Sequence, residues 1–213
     1  ITFSGITWQG IDIKSSGSMI QYTKIIDEGN SGQGDFILKL TGSHIDKSHV
    51  TGSLNGILLR DESIVSRSRI NDIRTTALRL YESFAVANDI YDIGADLFTD
   101  ASIKLSDGSV LAYNRIYSTI DNPNMIAVGV EDYDSENPSE VSMNTIGSDK
   151  GLQGKIGIFI NRGNESDIYS NRIGGFKTNI AVLGSRPLVG GNTFMGELDT
   201  DNAFMNVRVA SDR

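Results

Sequence analysis

One short phrase recurs along the chain and limits the folds that the chain can adopt. In its clearest copy, Ile168 is followed three residues later by Asn171 and two residues after that by Ile173. The first apolar positions of the nine copies are Ile1, Ile20, Ile45, Val65, Ala85, Leu111, Val141, Ile168 and Val189. The polar positions are Ser4, Thr23, Ser48, Ser68, Asn88, Asn114, Asn144, Asn171 and Asn192. The second apolar positions are Ile6, Ile25, Val50, Ile70, Ile90, Ile116, Ile146, Ile173 and Phe194. Successive copies are 19 to 30 residues apart, and self-similarity near such periods indicates a stacked architecture.

The polar position of the phrase is asparagine in five successive copies, from Asn88 to Asn192. Asparagine adopts the left-handed backbone conformation more readily than other residues with a side chain. Its amide also forms hydrogen-bonded ladders when equivalent strands stack. We therefore predict an asparagine ladder at a tight turn, with one amide in each coil bonded to those above and below.

A second run with strand character follows most copies, for example at residues 57–59, 126–130 and 156–160. The cleanest of these runs alternate with period two, which is typical of a strand with one buried face. We predict an all-β fold, a right-handed single-stranded parallel β-helix of about eight or nine coils with three short strands each. A β-sandwich or jelly roll is the alternative, but it needs hairpins, for which only Asn55-Gly56 and Asp107-Gly108 offer turn sequences.

Length, composition and net charge limit the number of domains and the classes of partner. The chain has 213 residues without a convincing linker, so we predict a single β-helix domain spanning residues 1–213. Because it begins at Ile1 within a strand-like run, we expect it to be a fragment of a longer chain. It contains no cysteine, which excludes disulfides and Cys-ligated metals. The net charge of −8 argues against a general nucleic-acid binder, and no apolar run reaches membrane-spanning length.

Two kinds of connector lengthen in neighbouring coils, and this predicts a groove. The turn after the long strand lengthens at residues 97–111 and 130–141, and the connector before it lengthens at 116–126 and 146–156. Such insertions would wall a groove whose floor is the outward face of the long strand, although surface loops also vary freely in length. The predicted floor positions are Leu58, Arg60, Arg79, Tyr81, Asp96, Phe98, Asp100, Ala127, Gly129, Glu131, Gly157, Phe159 and Asn161.

Three aromatic residues on this floor, Tyr81, Phe98 and Phe159, favour sugar binding. Sugar rings stack on aromatic faces, and Arg60, Arg79 and Asn161 are the predicted polar contacts to the substrate. The alternative is that these aromatics are ordinary surface residues, or that a loop or a neighbouring subunit covers them.

Acidic residues predict the chemistry of the groove. Asp100, Glu131 and Asp132 fall near one end of the predicted long strands. Carboxylates one coil apart would be roughly 5 Å apart, and two coils give nearly twice that; these separations bracket the geometries of retaining and inverting glycosidases. Stacked acids also raise one another's proton affinity, as an acid catalyst requires. We predict Asp100 and Glu131 as the catalytic pair, with Asp132 as a further candidate and Asp96 as the alternative if the register differs. A solvated loop or a weak cation site is the other reading of the acidic segment 131–136.

A mostly basic column is predicted to point outward between the polar and second apolar positions. Its members are Lys24, His49, Arg69, Asp89, Arg115, Thr145, Arg172 and Thr193. The column would either hold an anionic polysaccharide or form a solvated face that opposes aggregation. His44 and His49 are the only histidines, and without Cys or a spaced Glu they do not predict a metal site. We expect no metal and no cofactor.

The repeats resemble a known group of proteins. Gly157-Ile158-Phe159-Ile160 followed by Ile168-Tyr169-Ser170-Asn171-Arg172-Ile173 is similar to the repeat of right-handed parallel β-helix proteins of the pectate-lyase-like superfamily. The opening Ile1-Thr2-Phe3-Ser4-Gly5-Ile6-Thr7-Trp8-Gln9-Gly10 also resembles early coils of such proteins. The Asn-Thr-Asp and Gly-His-Gly signatures of polygalacturonases are absent, so the chain is most similar to bacteriophage tailspikes.

This resemblance implies an endo-acting glycoside hydrolase that depolymerises a bacterial surface polysaccharide, such as capsule, exopolysaccharide or O-antigen. It also implies a homotrimer located at the virion tail or outside the cell, with no nucleic-acid and no membrane partner. Two alternatives stay open. One is a non-catalytic β-helix adhesin or structural module, and the other is a lyase or epimerase that acts on uronates with Arg or Lys as the base.

Overall fold

A computed structural model shows that the chain winds into three stacked parallel β-sheets, with three strands in each coil. The structure describes residues 10–27, 36–94, 101–119, 122–133, 136–148, 154–162, 165–183, 186–195 and 205–210. Every strand pairing within these ranges is parallel and joins one coil to the next. Within the same ranges no helix is long and apolar enough to span a membrane.

The three sheets contain the first, second and third strands of successive coils. Sheet A consists of β1 (Ile11–Ile13), β4 (Phe36–Thr41), β7 (Asn55–Arg60), β10 (Leu78–Tyr81), β13 (Ala101–Ser106), β16 (Ile126–Val130), β19 (Gly154–Asn161), β22 (Phe176–Leu183) and β25 (Met205–Ala210). Sheet B consists of β2 (Met19–Gln21), β5 (His44–Asp46), β8 (Ile64–Ser66), β11 (Phe84–Val86), β14 (Val110–Ala112), β17 (Glu140–Ser142), β20 (Asp167–Tyr169) and β23 (Leu188–Gly190). Sheet C consists of β3 (Lys24–Ile26), β6 (His49–Thr51), β9 (Arg69–Ile73), β12 (Asp89–Ile93), β15 (Arg115–Ser118), β18 (Thr145–Ser148), β21 (Arg172–Gly174) and β24 (Thr193–Met195).

The register of sheets B and C reproduces the recurring phrase of the sequence. The successive partners in sheet B are Ile20, Ile45, Val65, Ala85, Leu111, Val141, Ile168 and Val189. The successive partners in sheet C are Ile25, Val50, Ile70, Ile90, Ile116, Ile146, Ile173 and Phe194. The predicted register is therefore confirmed for eight copies, and the first copy, at residues 1–6, lies outside the described residues.

The core consists of apolar columns that run through the stack. Two such columns come from sheet A, because its strands turn every second residue inward. The inward residues of sheet A include Leu38, Leu40, Ile57, Leu59, Leu78, Leu80, Ile103, Leu105, Val128, Val130, Ile158, Ile160, Ile180 and Val182. They form one continuous cluster with the phrase positions of sheets B and C, except that Ile20 and Phe194 pack against it and Val189 is exposed. Branched aliphatic side chains suit these positions, since they pack well on a pleated surface.

The bend between sheets B and C carries a continuous column of polar side chains, which we call the asparagine column. Each backbone N–H donates to the side-chain oxygen of the next coil, from Thr23 to Ser48 at 3.1 Å through to Asn171 and Asn192 at 2.9 Å. The amide Nδ2 of each of the first four asparagines also donates to Oδ1 of the next, at 3.0 Å each time. The predicted amide positions thus lie directly above one another.

The left-handed residue of this bend is not the asparagine, which corrects the sequence prediction. Positive φ occurs at the residue just before the polar position, as at Ala87 (57°) and Tyr113 (59°). The residues at this position are Tyr22, Lys47, Arg67, Ala87, Tyr113, Met143, Ser170 and Gly191. The asparagine keeps an ordinary backbone because its own amide must point along the stack to reach the next coil.

A second polar column, at the bend between sheets A and B, was not predicted. In seven of the eight described copies a serine lies two residues before the first apolar position, and six of these serines are buried, as at Ser63, Ser83 and Ser109. Backbone N–H groups donate along this serine column, for example from Ser43 to Ser63 Oγ at 3.2 Å. The signal was visible in the sequence, because Ser18, Ser43, Ser63, Ser83, Ser109, Ser139 and Ser166 all hold that spacing.

One predicted strand is wrong. The sequence placed the long strand of the fifth coil near residues 97–98, but the strand of sheet A in that coil is Ala101–Ser106. Its Lys104 pairs with Arg79 on one side and Gly129 on the other. The turn to sheet B is therefore short in this coil, and the extra residues precede the strand instead. The floor positions predicted at Asp96, Phe98 and Asp100 lie outside the described residues, and Lys104 occupies the floor in this coil.

Candidate functional site on the outer face of sheet A

The outward face of sheet A presents two columns of side chains. The first column contains Asp12, Lys39, Leu58, Arg79, Lys104, Gly129, Phe159 and Ala181. The second column lies two residues further along each strand. It contains Thr41, Arg60, Tyr81, Ser106, Glu131, Asn161 and Leu183. The predicted residues Arg60, Arg79, Tyr81, Phe159, Asn161 and Glu131 therefore share one face, whereas the predicted Leu58 and Gly129 only separate them.

Part of this face is concave. A groove of about 390 Å³ lies over the early coils. Its lining residues are Asp12, Lys14, Phe36, Lys39, Leu40, Thr41, Leu58, Arg60, Arg79 and Tyr81. This described lining carries four cationic side chains and one carboxylate, Asp12, whose Oδ2 lies 3.1 Å from Lys14 Nζ. The groove is therefore positively charged, in a protein whose net charge is −8.

Tyr81 is held between two arginines. The guanidinium carbon of Arg79 lies 5.2 Å from the centroid of the Tyr81 ring, and that of Arg60 lies 5.7 Å from it. A guanidinium at this range is attracted by the ring quadrupole. The ring therefore lies against both side chains. Within the described residues no carboxylate forms an ion pair with either guanidinium, a group that binds carboxylates in a two-pronged geometry.

The later coils of the same face carry an aromatic residue and an acid. The half-buried Phe159 has Gly129 and Ala181 as its neighbours in the coils on either side, and both are too small to cover its ring. Glu131 follows β16, and its N–H donates to the carbonyl of Leu105 at 2.9 Å, so that Ser106 is its neighbour in the stack. The arrangement offers a stacking surface for an apolar ring face beside a partly exposed carboxylate.

Asp132 is buried in a network of hydrogen bonds, unlike Glu131. Its two carboxylate oxygens accept four hydrogen bonds: from the N–H of Asp107 at 2.9 Å, the N–H and hydroxyl of Ser139 at 2.8 and 2.5 Å, and the hydroxyl of Ser166 at 2.6 Å. The residue is only 5% exposed. The carboxylate therefore joins the longest bend between sheets A and B to two neighbouring coils, and its lone pairs are already engaged.

Of the catalytic pair predicted from the sequence, the structure describes only Glu131. Asp96, Asp100 and Phe98 lie outside the described residues, so their roles stay predictions. In the observed register the neighbour of Glu131 in the preceding coil is Ser106, and this corrects the expectation that Asp100 would occupy that position. Lys104 was missed as a site residue, although the alternation of Ile103, Lys104 and Leu105 could have identified it as an outward position.

In the part of the chain that the structure describes, no three His, Asp or Glu side chains converge into a group that could hold a metal ion. His44 and His49 instead contact neutral partners. His44 Nε2 lies 2.9 Å from Ser66 Oγ, and His49 Nε2 lies 2.6 Å from Asn71 Oδ1.

Comparison with solved structures shows which fold the chain shares. DFA-IIIase from Arthrobacter chlorophenolicus A6, in complex with GF2, superposes with a TM-score of 0.61 at 16% sequence identity, over 90% of this chain and 53% of that one. DFA-IIIase from the same organism without its lid gives a TM-score of 0.57 at 14% identity, over 96% of this chain and 59% of that one. The chain thus spans little more than half the length of these structures, and at such identity the likeness concerns the fold. Comparisons with protein-family models and with curated proteins find no match.

Proposed function

We propose that the protein binds an acidic polysaccharide along the outer face of sheet A and hydrolyses it internally. The observation that carries this proposal is the placement of Tyr81 between Arg60 and Arg79, with Lys39 and Lys104 on the same face. Arginines bind carboxylates with two parallel hydrogen bonds. A chain of uronate sugars running across the coils would place its carboxylates on these cations, and its ring faces would stack on Phe159.

Glu131 is the proposed general acid. It is a partly exposed carboxylate in the later coils of this face, and its partners in the register are Ser106 and Asn161, with Phe159 two residues before Asn161. Hydrolysis of a glycosidic bond needs a second carboxylate as nucleophile or base. Asp100 and Asp96 precede Ala101, which begins β13 at the end away from Ser106 and Glu131, so neither is proposed as this second carboxylate. Asp132 is proposed to hold the bend next to Glu131 in place, because its oxygens already accept four hydrogen bonds.

The biological setting of this proposal comes from the resemblance of the repeats to tailspikes. The polymer would be a bacterial capsule, exopolysaccharide or O-antigen, and the protein would act at the virion tail or outside the cell. A right-handed winding belongs to the same proposal and is supported by the general handedness of crossovers between parallel strands.

A homotrimer is also proposed, and the outward face of sheet B supports it. Ile64, Phe84 and Val110 are neighbours in this face, and all three are partly exposed. Val86, which is also partly exposed, extends the apolar surface in the adjacent column. Contiguous apolar surface of this kind commonly marks a protein interface.

Reducing-sugar release from host surface polysaccharide tests the hydrolase. Glu131→Gln should lower turnover by at least about 100-fold with binding retained, because it removes a proton donor without changing the side-chain shape. Arg79→Ala should instead weaken binding by roughly tenfold, the loss of about one charge-assisted contact. Glu136→Gln is the matched control, since Glu136 is an exposed acid in the same bend. Unchanged turnover in Glu131→Gln would remove the hydrolytic assignment, and binding without any turnover would establish a non-catalytic module.

A uronate lyase is the second candidate, and the position of Lys104 favours it. Lys104 lies on the floor directly beside Arg79. In an elimination, a base removes the proton at C5 of the uronate, the C4–O bond breaks to release the leaving sugar, and a C4–C5 double bond forms. Arg79 would bind the carboxylate and Lys104 would act as the base. The ultraviolet absorbance of an unsaturated uronate, lost in Lys104→Ala and kept in Glu131→Gln, would select the lyase.

A further inference from the structure

The bend between sheets B and C carries four cationic side chains and a histidine in its first three coils, a cluster that we call the basic array. The array consists of Lys24, Lys47, His49, Arg67 and Arg69. With Tyr22, Thr23 and Ser48 these residues line an open cavity of about 480 Å³. Within the described chain the cavity has no carboxylate in its lining, although the protein as a whole is acidic.

The backbone of the bend arranges the array in two columns. Lys47 and Arg67 occupy the left-handed position, with φ of 46° each, one residue before the polar column. Lys24, His49 and Arg69 pair in sequence along sheet C, with alternate residues of each strand turned inward. Successive coils are separated by about 4.8 Å, so the cations are spaced along the axis of the helix like charges on an extended polymer.

Neighbouring groups neutralise only part of this charge. The guanidinium of Arg67 donates to both oxygens of Asp46, at 2.7 and 2.8 Å. Lys47 Nζ donates to the hydroxyl of Tyr22 at 3.1 Å, which orients the ammonium without cancelling its charge. In the described ranges neither Lys24 nor Lys47 lies within ion-pair distance of a carboxylate.

Arg69 completes the positive strip. Its guanidinium carbon lies 5.9 Å from the centroid of the Tyr91 ring, and Tyr91 stacks in turn on Tyr117, with 5.3 Å between centroids and 13° between planes. Both rings are thus occupied by each other and by arginine, since Arg115 lies 4.6 Å from the Tyr117 centroid. These tyrosines position the guanidinium groups and do not offer a free face for a base or a sugar.

The geometry points to a linear polyanion as the ligand, and we propose that the basic array binds a second segment of an acidic polysaccharide. The cations lie on three successive coils and do not converge on one point, as binding of a single oxyanion would require. The array also spans only a few coils of a protein with net charge −8, whereas nucleic-acid interfaces are larger and strongly basic. The choice of polysaccharide rests on the proposed function, but the presence of a second anion site does not.

The position of the array explains what such a site would add. The bend between sheets B and C is the corner of the coil opposite sheet A, so one straight polymer segment cannot occupy both the groove and the array. Two separate sites on one chain raise the effective concentration of a long polymer after the first contact. The array would therefore retain the polysaccharide while the groove releases and rebinds it.

Calorimetric titration of the whole chain with a short oligogalacturonate tests the proposal. Wild type should show two sites per chain, and Lys47→Ala with Arg69→Ala should retain only the groove site. The control pair Arg172→Ala with Lys177→Ala removes the same charge from exposed positions outside the array and should keep both sites. Ala87 occupies the position of Lys47 in another coil, so the alanine is compatible with the backbone there. Raising the salt concentration should weaken the array site several-fold, because its cations are exposed.

Each other outcome is decisive. Two sites in the array variant, or an equal loss in the charge-matched control, would overturn the proposal. Tighter binding of single-stranded DNA than of oligogalacturonate at the array would overturn the choice of polymer. Loss of binding in Arg60→Ala with Arg79→Ala, with the array site unchanged, confirms that the two sites are separate. If the array binds and the groove does not, the proposed function fails while this inference stands.

Discussion

The two bends that flank sheet B differ in how far they tolerate change in length. At the bend between sheets B and C the two apolar positions are five residues apart in every copy, from Ile20 and Ile25 to Val189 and Phe194. At the bend between sheets A and B the spacing varies, and the longest version lies between Val130 and Val141. The bend between sheets B and C therefore has a fixed length, whereas the bend between sheets A and B varies in length.

In the five coils with asparagine, the hydrogen-bonding groups of the two polar columns favour this difference; the coils with Thr23, Ser48 and Ser68 keep the same spacing without an amide. An asparagine amide has two donors and an acceptor with two lone pairs, so Asn144 bonds to the coils on both sides at once. A serine has one hydroxyl, and Ser109 donates it within its own bend, to the carbonyl of Ser106 at 2.6 Å. A residue inserted into the first bend breaks several bonds between coils, whereas one inserted into the second breaks few. The longest bends, such as the one between Val130 and Val141, are therefore found at the serine column.

The largest expected effect is the loss of an amide from the middle of the asparagine column. Asn144→Ala removes four hydrogen bonds at a side chain that is 1% exposed. At about 1 kcal/mol for each bond, the free energy of unfolding should fall by about 4 kcal/mol. Ser109→Ala removes two bonds and should cost about 1–2 kcal/mol. Urea unfolding of both variants measures the difference, and equal losses would show that the columns do not explain the two bends.

The difference between the two bends also explains which features of the fold could be predicted from the sequence. The recurring phrase, with Asn, Ser or Thr at its polar position, predicted the register of sheets B and C correctly in eight coils. The strand at Ala101–Ser106 was missed because residues 97–98 are also apolar, and only pairing with Leu78–Tyr81 distinguishes the two. The left-handed position was misplaced for a related reason. Propensity says that asparagine tolerates positive φ, but it does not say that the amide must first reach the next coil.

The prediction of the candidate site also depended on the register of each coil. Arg60, Arg79 and Tyr81 were predicted because the early coils alternate regularly, whereas Lys104 was missed in the coil whose register was wrong. The role of Asp132 could not be predicted, since an acid in a loop gains its four donors only when Ser139 of its own bend, Asp107 of the preceding coil and Ser166 of the next coil come together.

A smaller effect is expected from the ion pair beside the asparagine bend. The Arg67 guanidinium, bonded to both oxygens, lowers the pKa of Asp46 from 3.8 to about 2. A carboxyl group whose pKa is lowered by folding stabilises the native state above its unfolded pKa. That contribution is lost as the pH falls through the folded value. The free energy of unfolding should therefore decrease between pH about 4 and pH about 2.

Arg67→Ala tests the origin of this decrease. The variant should flatten the dependence of unfolding free energy on pH in that interval, because the first cause of the shift is removed. Arg69→Ala, which alters a neighbouring arginine with no contact to Asp46, should leave the slope unchanged. Identical slopes in wild type and Arg67→Ala would mean that the ion pair does not couple this bend to pH.

The smallest expected effect concerns backbone strain at the bend of fixed length. Ala87 has φ of 57°, a conformation that costs a residue with a side chain roughly 1–2 kcal/mol and glycine almost nothing. Glycine also loses more conformational freedom on folding, by roughly 0.5–1 kcal/mol. Ala87→Gly should therefore raise the free energy of unfolding by about 0.5 kcal/mol. Ala85→Gly, two residues earlier in a buried strand, should lower it by about 1 kcal/mol. The melting temperatures of the two variants, measured by thermal unfolding, should shift in opposite directions.

If Ala87→Gly destabilises the protein as much as Ala85→Gly does, the bend is not strained. The fixed length would then come from packing of the apolar pair, not from an amide that holds its neighbour in an unfavourable conformation.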